Sequence, residues 1–167
     1  SSTGNENDFT AFVVGSKADT GVKYCRKGEI MRVGFDDYIA HVLALLKRYD
    51  DITHLYIEKN LYMGADMMRL KERISEDPQL RVRPFMLINE MQKKNKIDKI
   101  DSISGDVNFG RIVFNRADED AVRQLSDYQG AQSWHDDFPD CLAEFDMRID
   151  EIENIGTVEF LPRNLLF

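Results

Sequence analysis

Apolar residues along the chain follow two patterns, short continuous runs and longer segments with helical spacing. The β-branched and aromatic runs at residues 9–14 and 53–58 predict buried strands, and residues 22–33 predict one or two more around Lys27 and Gly28. Residues 81–88 and 109–114 predict the remaining strands, and Pro84 indicates an edge or a bulge in the first of these. These runs supply the strands of a sheet.

The helical segments alternate with these strands. They are residues 35–49, 65–75, 93–103, 118–128 and a last long segment that opens at residues 134–140. The last segment has one apolar face, formed by Phe138, Cys141, Leu142, Phe145, Ile149 and Ile152. Since strands and helices alternate after the first hairpin, we expect an α/β fold with a mixed β-sheet flanked by helices.

Composition adds a limit on size and setting. The chain has 167 residues, of which 43% are hydrophobic, which is enough for one domain with a sizeable core. No run of 18 or more apolar residues occurs and the first residues are polar, so we expect neither a membrane span nor an export signal. Cys25 and Cys141 lie far apart in the sequence, which favours two packed, reduced thiols and an intracellular setting.

Charge is distributed unevenly along the chain. The formal net charge of −8 argues against a nucleic-acid partner, because phosphate binding depends on Lys and Arg. However, residues 81–99 contain six basic and two acidic residues, whereas residues 135–153 contain eight acidic residues and one Arg. The average therefore conceals one basic patch and one acidic cluster.

The acidic cluster begins at the start of the last predicted helix. The sequence Trp134-His135-Asp136-Asp137-Phe138-Pro139-Asp140 holds three carboxylates and an imidazole. Asp136 or Asp137 can cap the helix, and Pro139 is tolerated in a first turn. One cap needs one carboxylate, so the excess indicates a cation or a substrate, while ordinary capping and dipole chemistry stay as the alternative.

Two further carboxylates stand at strand ends. Asp8 lies at the entry of the first predicted strand, and Glu58 lies at the carboxyl end of another, where ligands of such sheets gather. If the fold brings these acids to the helix-borne ones, a divalent cation such as Mg²⁺ or Mn²⁺ relieves their repulsion. No Walker A motif, G-x-G-x-x-G, G-x-S-x-G or CxxC pair occurs, which disfavours an ATPase, a hydrolase of the α/β type and a structural zinc site.

Taken in order, several pieces resemble the nuclease domain of the large terminase subunit of tailed bacteriophages. They are Asp8-Phe9-Thr10-Ala11, Ile57-Glu58-Lys59-Asn60 with Gly64, a lysine-rich helix leading to Gly110-Arg111-Ile112-Val113-Phe114, and His135-Asp136-Asp137-Phe138-Pro139-Asp140-Cys141-Leu142-Ala143. The H-D-D-x-x-D-x-L-A ending and the strand-terminal I-E-x-N are the specific parts. The resemblance covers nearly the whole chain.

The resemblance implies a ribonuclease H-like fold, a single nuclease domain over residues 1–167, and two Mg²⁺ or Mn²⁺ ions that cut concatemeric viral DNA during packaging. It implies catalytic roles for Asp8, Glu58 and Asp137, metal ligation by these and Asp136, and outer positions for His135 and Asp140. The basic patch would supply the DNA-binding residues Lys93, Lys94, Lys96 and Lys99. The implied partners are double-stranded DNA, the terminase ATPase domain, the small terminase subunit and the portal, in the host cytoplasm, with no membrane.

The chain departs from the family at its start. The leading Asp of the family lies on the first core strand, several residues before the position of Asp8, and we expect that strand to be missing from this chain, which would make it the C-terminal part of a larger terminase protein. Two other classes stay open. One is a ribonuclease H-like recombinase or junction resolvase, and the other is a non-catalytic interaction module whose carboxylates are helix caps.

Overall fold

A computed structural model describes residues 9–59, 62–91, 94–130 and 136–154 of the chain. The fold is α/β, as the alternation of patterns predicts, and its strands and helices divide between two compact units. Unit 1 comprises residues 1–9 and 32–94, and unit 2 comprises residues 10–31 and 95–167. Within the described residues, no helix has the length and apolar character needed to cross a bilayer.

Unit 1 is built from two helices and two strands. In order they are α1 (Phe35–Arg48), β3 (His54–Glu58), α2 (Ala65–Glu76) and β4 (Met86–Glu90), with β3 and β4 paired in parallel. Helix α1 packs on α2, and its buried apolar residues, including Ile39, Leu43 and Leu46, follow the helical spacing of the sequence. Gly64, with φ of 91°, occupies the left-handed conformation directly before α2, which favours glycine.

Unit 2 holds a three-stranded mixed sheet in the order β1-β2-β5. Strands β1 (Thr10–Lys17) and β2 (Lys23–Met31) are antiparallel, and β5 (Ile112–Phe114) runs parallel to β2. The helices of this unit are α3 (Lys96–Ser102), α4 (Ser104–Asn108), α5 (Glu119–Ser126) and α6 (Asp137–Asn154). The predicted mixed pairing is thus present in this sheet, while β3 and β4 pair with each other in the second sheet.

Helix α6 packs against the β1–β2 hairpin and forms the centre of the unit 2 core. Phe138 and Leu142 are fully buried there, together with Cys25 and Ile112 of the sheet. The helix approaches the hairpin closely at Gly28, because a Cβ on Gly28 would lie 2.6 Å from the Phe138 ring. Both cysteines are free thiols, as expected, and burial raises the pKa of each to about 12.

Partly buried ion pairs join the other end of α6 to the hairpin. The Lys23 ammonium lies 2.7 Å from an Asp146 carboxylate oxygen and 2.8 Å from one of Asp150, and Lys17 lies 2.9 Å from Asp150. These pairs orient α6 along its length, so the position of its first turn follows from contacts at both ends.

Two strand predictions differ from the structure in their bounds. Of residues 22–33, Lys23–Met31 form one continuous strand, in which Gly28 leaves space for the Phe138 ring. Residues 81 and 82, predicted to begin a strand, lie in a turn, and the strand begins at Met86. Asp77 accepts hydrogen bonds from the backbone N–H groups of Gln79 and Leu80, which stabilises the turn.

The lysine-rich segment is also shorter than predicted. Asn95 caps α3 by accepting a hydrogen bond from the backbone N–H of Ile97 at 2.9 Å, so the helix begins at Lys96 instead of residue 93. Strand β5 begins at Ile112 rather than at residue 109. Helix α3 lies against α6, which brings its lysines to the acidic cluster.

Candidate acidic site at the start of helix α6

Helix α6 begins at Asp137 with Pro139 in its first turn, as the sequence predicts. The cap of this end comes from another helix, because the backbone N–H of Phe138 donates a hydrogen bond of 2.6 Å to the side-chain oxygen of Gln124 on α5. The backbone N–H of Asp140 bonds to the carbonyl oxygen of Asp136. The sequence predicted that Asp136 or Asp137 caps this helix. In the structure, the side chain of Gln124 accepts the hydrogen bond from the Phe138 N–H.

The carboxylates around this helix start have lysine partners on α3. The Lys96 ammonium lies 2.8 Å from Asp136, and the Lys99 ammonium lies 2.6 Å from Asp140 and 2.8 Å from Glu144. The excess negative charge that indicated a cation in the sequence thus has internal counter-ions. Helix α3 supplies them because the pairing of α3 with α6 places both lysines over the acidic face.

The two lysines differ in exposure. The Lys99 side chain is 1% exposed and lies between Asp140 and Glu144, and Glu144 also accepts from Arg148 at 3.4 Å. A buried ammonium is stable only with such partners, and it has no access to a phosphate. This placement corrects the interpretation of Lys99 as a DNA-binding residue and assigns it to the contact between α3 and α6.

Lys96 occupies a more open position. Its side chain is 41% exposed and that of Asp136 is 29% exposed. Burial acts to lower the pKa of Lys96, but the hydrogen bond with Asp136 and the charges of Asp136, Asp140 and Asp137 raise it above its usual value. The helix start therefore produces a field that holds a cation, and the ammonium of Lys96 is the cation held there.

Other basic residues of the patch have different positions. Arg83 donates hydrogen bonds to the carbonyl oxygens of Leu46, Tyr49 and Ile52, so it closes the end of α1. Lys94 is exposed, and Lys93 lies outside the described residues. The patch read from residues 81–99 is therefore not one uniform basic surface.

In unit 1, Glu58 closes β3 at its carboxyl end. Its register partner is Glu90, which closes the parallel strand β4, so the two acidic residues occupy equivalent positions at one edge of the sheet. Sequence reasoning missed Glu90, because the predicted strand ended at residue 88. The signal was present, since an acidic residue directly follows the apolar run at residues 86–88.

The predicted site residues fall in different parts of the structure. Asp136, Asp137 and Asp140 lie together at the start of α6 in unit 2, while Glu58 belongs to unit 1. Asp8 and His135 lie outside the described residues. Among the predicted site residues that the structure describes, the α6 carboxylates and the lysines of α3 are brought together within one unit.

Carboxylate oxygens such as those of α6 are the ligands that hard divalent cations prefer, and here one of them holds the ammonium group of Lys96. In the described part of the chain, no group of three or more His, Cys, Asp or Glu side chains is arranged to hold a metal ion.

No model of a known protein family matches the chain, and a search of curated proteins finds no match to it. A functional proposal therefore comes from the motifs and from the geometry.

Proposed function

We propose that the chain is a Mg²⁺- or Mn²⁺-dependent endodeoxyribonuclease, the nuclease part of a phage terminase large subunit with a ribonuclease H-like fold. The observation that carries the proposal is the position of Glu58. It stands at the carboxyl end of a parallel strand in an α/β fold, with Glu90 beside it at the end of the next strand. Ligands of such sheets gather at this edge.

Each acidic residue has a defined role in the proposal. By the resemblance, Asp8, Glu58 and Asp137 would be metal ligands, with Asp136 as a further one. Two bound ions would supply a water of lowered pKa and would stabilise the leaving 3′ oxygen. Asp140 acts indirectly, because its ion pair with Lys99 fixes the first turn of α6 against α3. Lys94 and Lys96 contact DNA phosphates without reading sequence.

The same proposal places the chain in a larger assembly. Its partners are double-stranded DNA, the terminase ATPase domain, the small terminase subunit and the portal, and its setting is the host cytoplasm. These partners follow from the resemblance in motif order, and the exposed position of Lys94 supports the DNA contact.

Cleavage of supercoiled plasmid tests the proposal, in this chain and in the full-length protein. We expect nicking and linearisation in Mn²⁺, none in EDTA, and loss of cleavage in Glu58→Ala by about 100-fold or more, the scale on which loss of a catalytic group acts. Glu76→Ala, an exposed acid of the same unit, is the matched control and should cut like the parent. Equal cleavage by parent and Glu58→Ala would exclude the assigned role of Glu58.

One observation favours a second candidate, a non-catalytic interaction module. The ion pairs of Lys96 and Lys99 neutralise the α6 carboxylates without a metal. Absence of both cleavage and Mn²⁺ binding in the full-length protein would support this candidate. A preference for branched over linear duplex DNA, with cleavage retained, would instead support a recombinase or junction resolvase.

A further inference from the structure

We propose that the segment after α6, residues 155–167, covers an exposed apolar patch on the unit 2 sheet. The patch consists of Tyr24 on β2, Val113 on β5 and Phe109 just before β5. The segment lies outside the described residues, so the proposal draws on the patch, on the place where α6 ends, and on the amino-acid sequence of the segment. It does not depend on the proposed nuclease function.

The patch lies on the face of the sheet that points away from α6. Ile112 belongs to the core formed with α6, so its neighbour Val113 points to the opposite face, and Tyr24 is the register partner of Val113. The Phe109 ring lies 5.6 Å from the guanidinium carbon of Arg111, two positions before Val113. Tyr24 is 40% exposed, Val113 41% and Phe109 78%. Single exposed apolar residues are ordinary, but neighbouring ones such as these mark a surface that another chain segment can cover.

Helix α6 ends at the same end of the sheet as the patch. The Lys23 ammonium lies 2.8 Å from an Asp150 carboxylate oxygen, and the Lys23 backbone N–H donates a hydrogen bond of 2.9 Å to the carbonyl oxygen of Arg111, directly before β5. The helix ends at Asn154, about one turn after Asp150. The segment that follows therefore starts close to the first residues of β5.

The length of the segment is sufficient to reach the far face of the sheet. Residues 155–167 span up to about 40 Å when extended, whereas the nine residues of β2 span about 30 Å. Among the described strands, β5 stands at one edge of this sheet, so the path from α6 to the patch passes a single strand.

The composition of the segment suits an apolar surface. Six of the residues at 158–167 are large and apolar, namely Val158, Phe160, Leu161, Leu165, Leu166 and Phe167. Residues 157–160 are mostly β-branched or aromatic, which favours extended chain, and side chains two positions apart in extended chain point the same way. We therefore assign Val158 and Phe160 to the patch, since burial of both sets of side chains removes apolar surface from water.

Hydrogen exchange of residues 109–114, measured by mass spectrometry, tests the proposal from the side of the segment. Phe160→Ser should uncover the patch, so we expect these amides to exchange about fivefold or more faster than in the parent. Arg163→Ser, a substitution of a polar residue in the same segment, is the matched control and should leave the exchange unchanged.

Chymotrypsin cleavage after Phe160 tests the proposal from the side of the patch. Phe109→Ser removes the largest exposed side chain of the patch, so we expect cleavage about fivefold or more faster than in the parent. Met63→Ser, at an apolar position of unit 1 that is 85% exposed, is the control and should be cleaved like the parent. Unchanged exchange in Phe160→Ser together with unchanged cleavage in Phe109→Ser would overturn the proposal. Protection that increases with protein concentration would assign the patch to a second copy of the chain and would also overturn it.

Discussion

At the scale of single residues, Lys99 shows how a charged side chain becomes part of a core. Lys99→Met removes the buried cation that Asp140 and Glu144 share and leaves Glu144 with Arg148 alone, so we expect the free energy of unfolding to fall by about 3–5 kcal/mol in urea denaturation. Lys94→Met, at an exposed position, should change it by less than about 0.5 kcal/mol. If Lys99→Met kept its stability but bound DNA more weakly, Lys99 would be a DNA-binding residue after all.

A second residue, Asp66, predicts a pH dependence. This carboxylate is 1% exposed at the start of α2, and it accepts hydrogen bonds from the Met67 backbone N–H and, at 3.5 Å, from the Tyr38 hydroxyl. Burial raises the pKa of Asp66 above its usual value, and these hydrogen bonds only partly oppose the effect. The folded state then binds more protons than the unfolded state, so the contribution of Asp66 to stability falls as pH rises from about 4.

We therefore expect Asp66→Asn to gain stability relative to the parent as pH rises from about 4 to 7, since the amide carries no charge to bury. Thermal unfolding at several pH values measures the difference. Asp120→Asn, whose side chain is 89% exposed, is the control and should show no such trend. A difference between parent and Asp66→Asn that stays constant with pH would contradict the prediction.

At the scale of elements, the close approach of α6 to the hairpin depends on Gly28. A Cβ at this position would lie 2.6 Å from the Phe138 ring and 3.3 Å from the Ala121 Cβ, both of which belong to the buried core of unit 2. We expect Gly28→Ala to destabilise the chain by about 1–3 kcal/mol in urea denaturation, because the fully buried ring has to move.

Gly105→Ala is the control for this element. Gly105 lies in α4 with nothing within 4 Å of an added Cβ, so the substitution should be neutral or stabilising by helix propensity, by up to about 1 kcal/mol. Equal effects of Gly28→Ala and Gly105→Ala would mean that α6 can move away from β2. The contact between Gly28 and Phe138 would then not hold the first turn of α6.

At the scale of the whole molecule, a net charge of −8 opposes DNA binding, so the affinity should come from few contacts. Of the six basic residues at 81–99, Lys99 and Arg83 are occupied inside the fold, which leaves four. In a plot of the logarithm of DNA affinity against the logarithm of salt concentration, the segment should then contribute a slope no steeper than about −4. Lys93→Ala combined with Lys94→Ala should weaken duplex binding and reduce that slope by about two; an unchanged affinity would remove the patch from the DNA surface.

Much of the fold was predictable because its signals are local. The spacing of apolar residues in α1 and α6, and the glycine before α2, follow from contacts within a few turns or from backbone sterics. The second strand was harder, because Gly28 is typical of a turn by composition and its packing against Phe138 depends on a residue 110 positions away. Glu90 was missed because the predicted strand ended two residues too early, and sequence patterns are least informative at strand boundaries.

The sequence by itself determined the alternation of strands and helices, the two reduced cysteines, the acidic first turn of α6 and the carboxylate at the end of β3. Only the tertiary structure decided which charges neutralise one another. Whether a lysine on a helix is solvated or buried depends on which other element packs over it. That element is distant in sequence, so the residues around the lysine do not reveal it. The pairing of α3 with α6 made Lys99 a buried counter-ion and left Lys96 on the open edge of the same acidic surface.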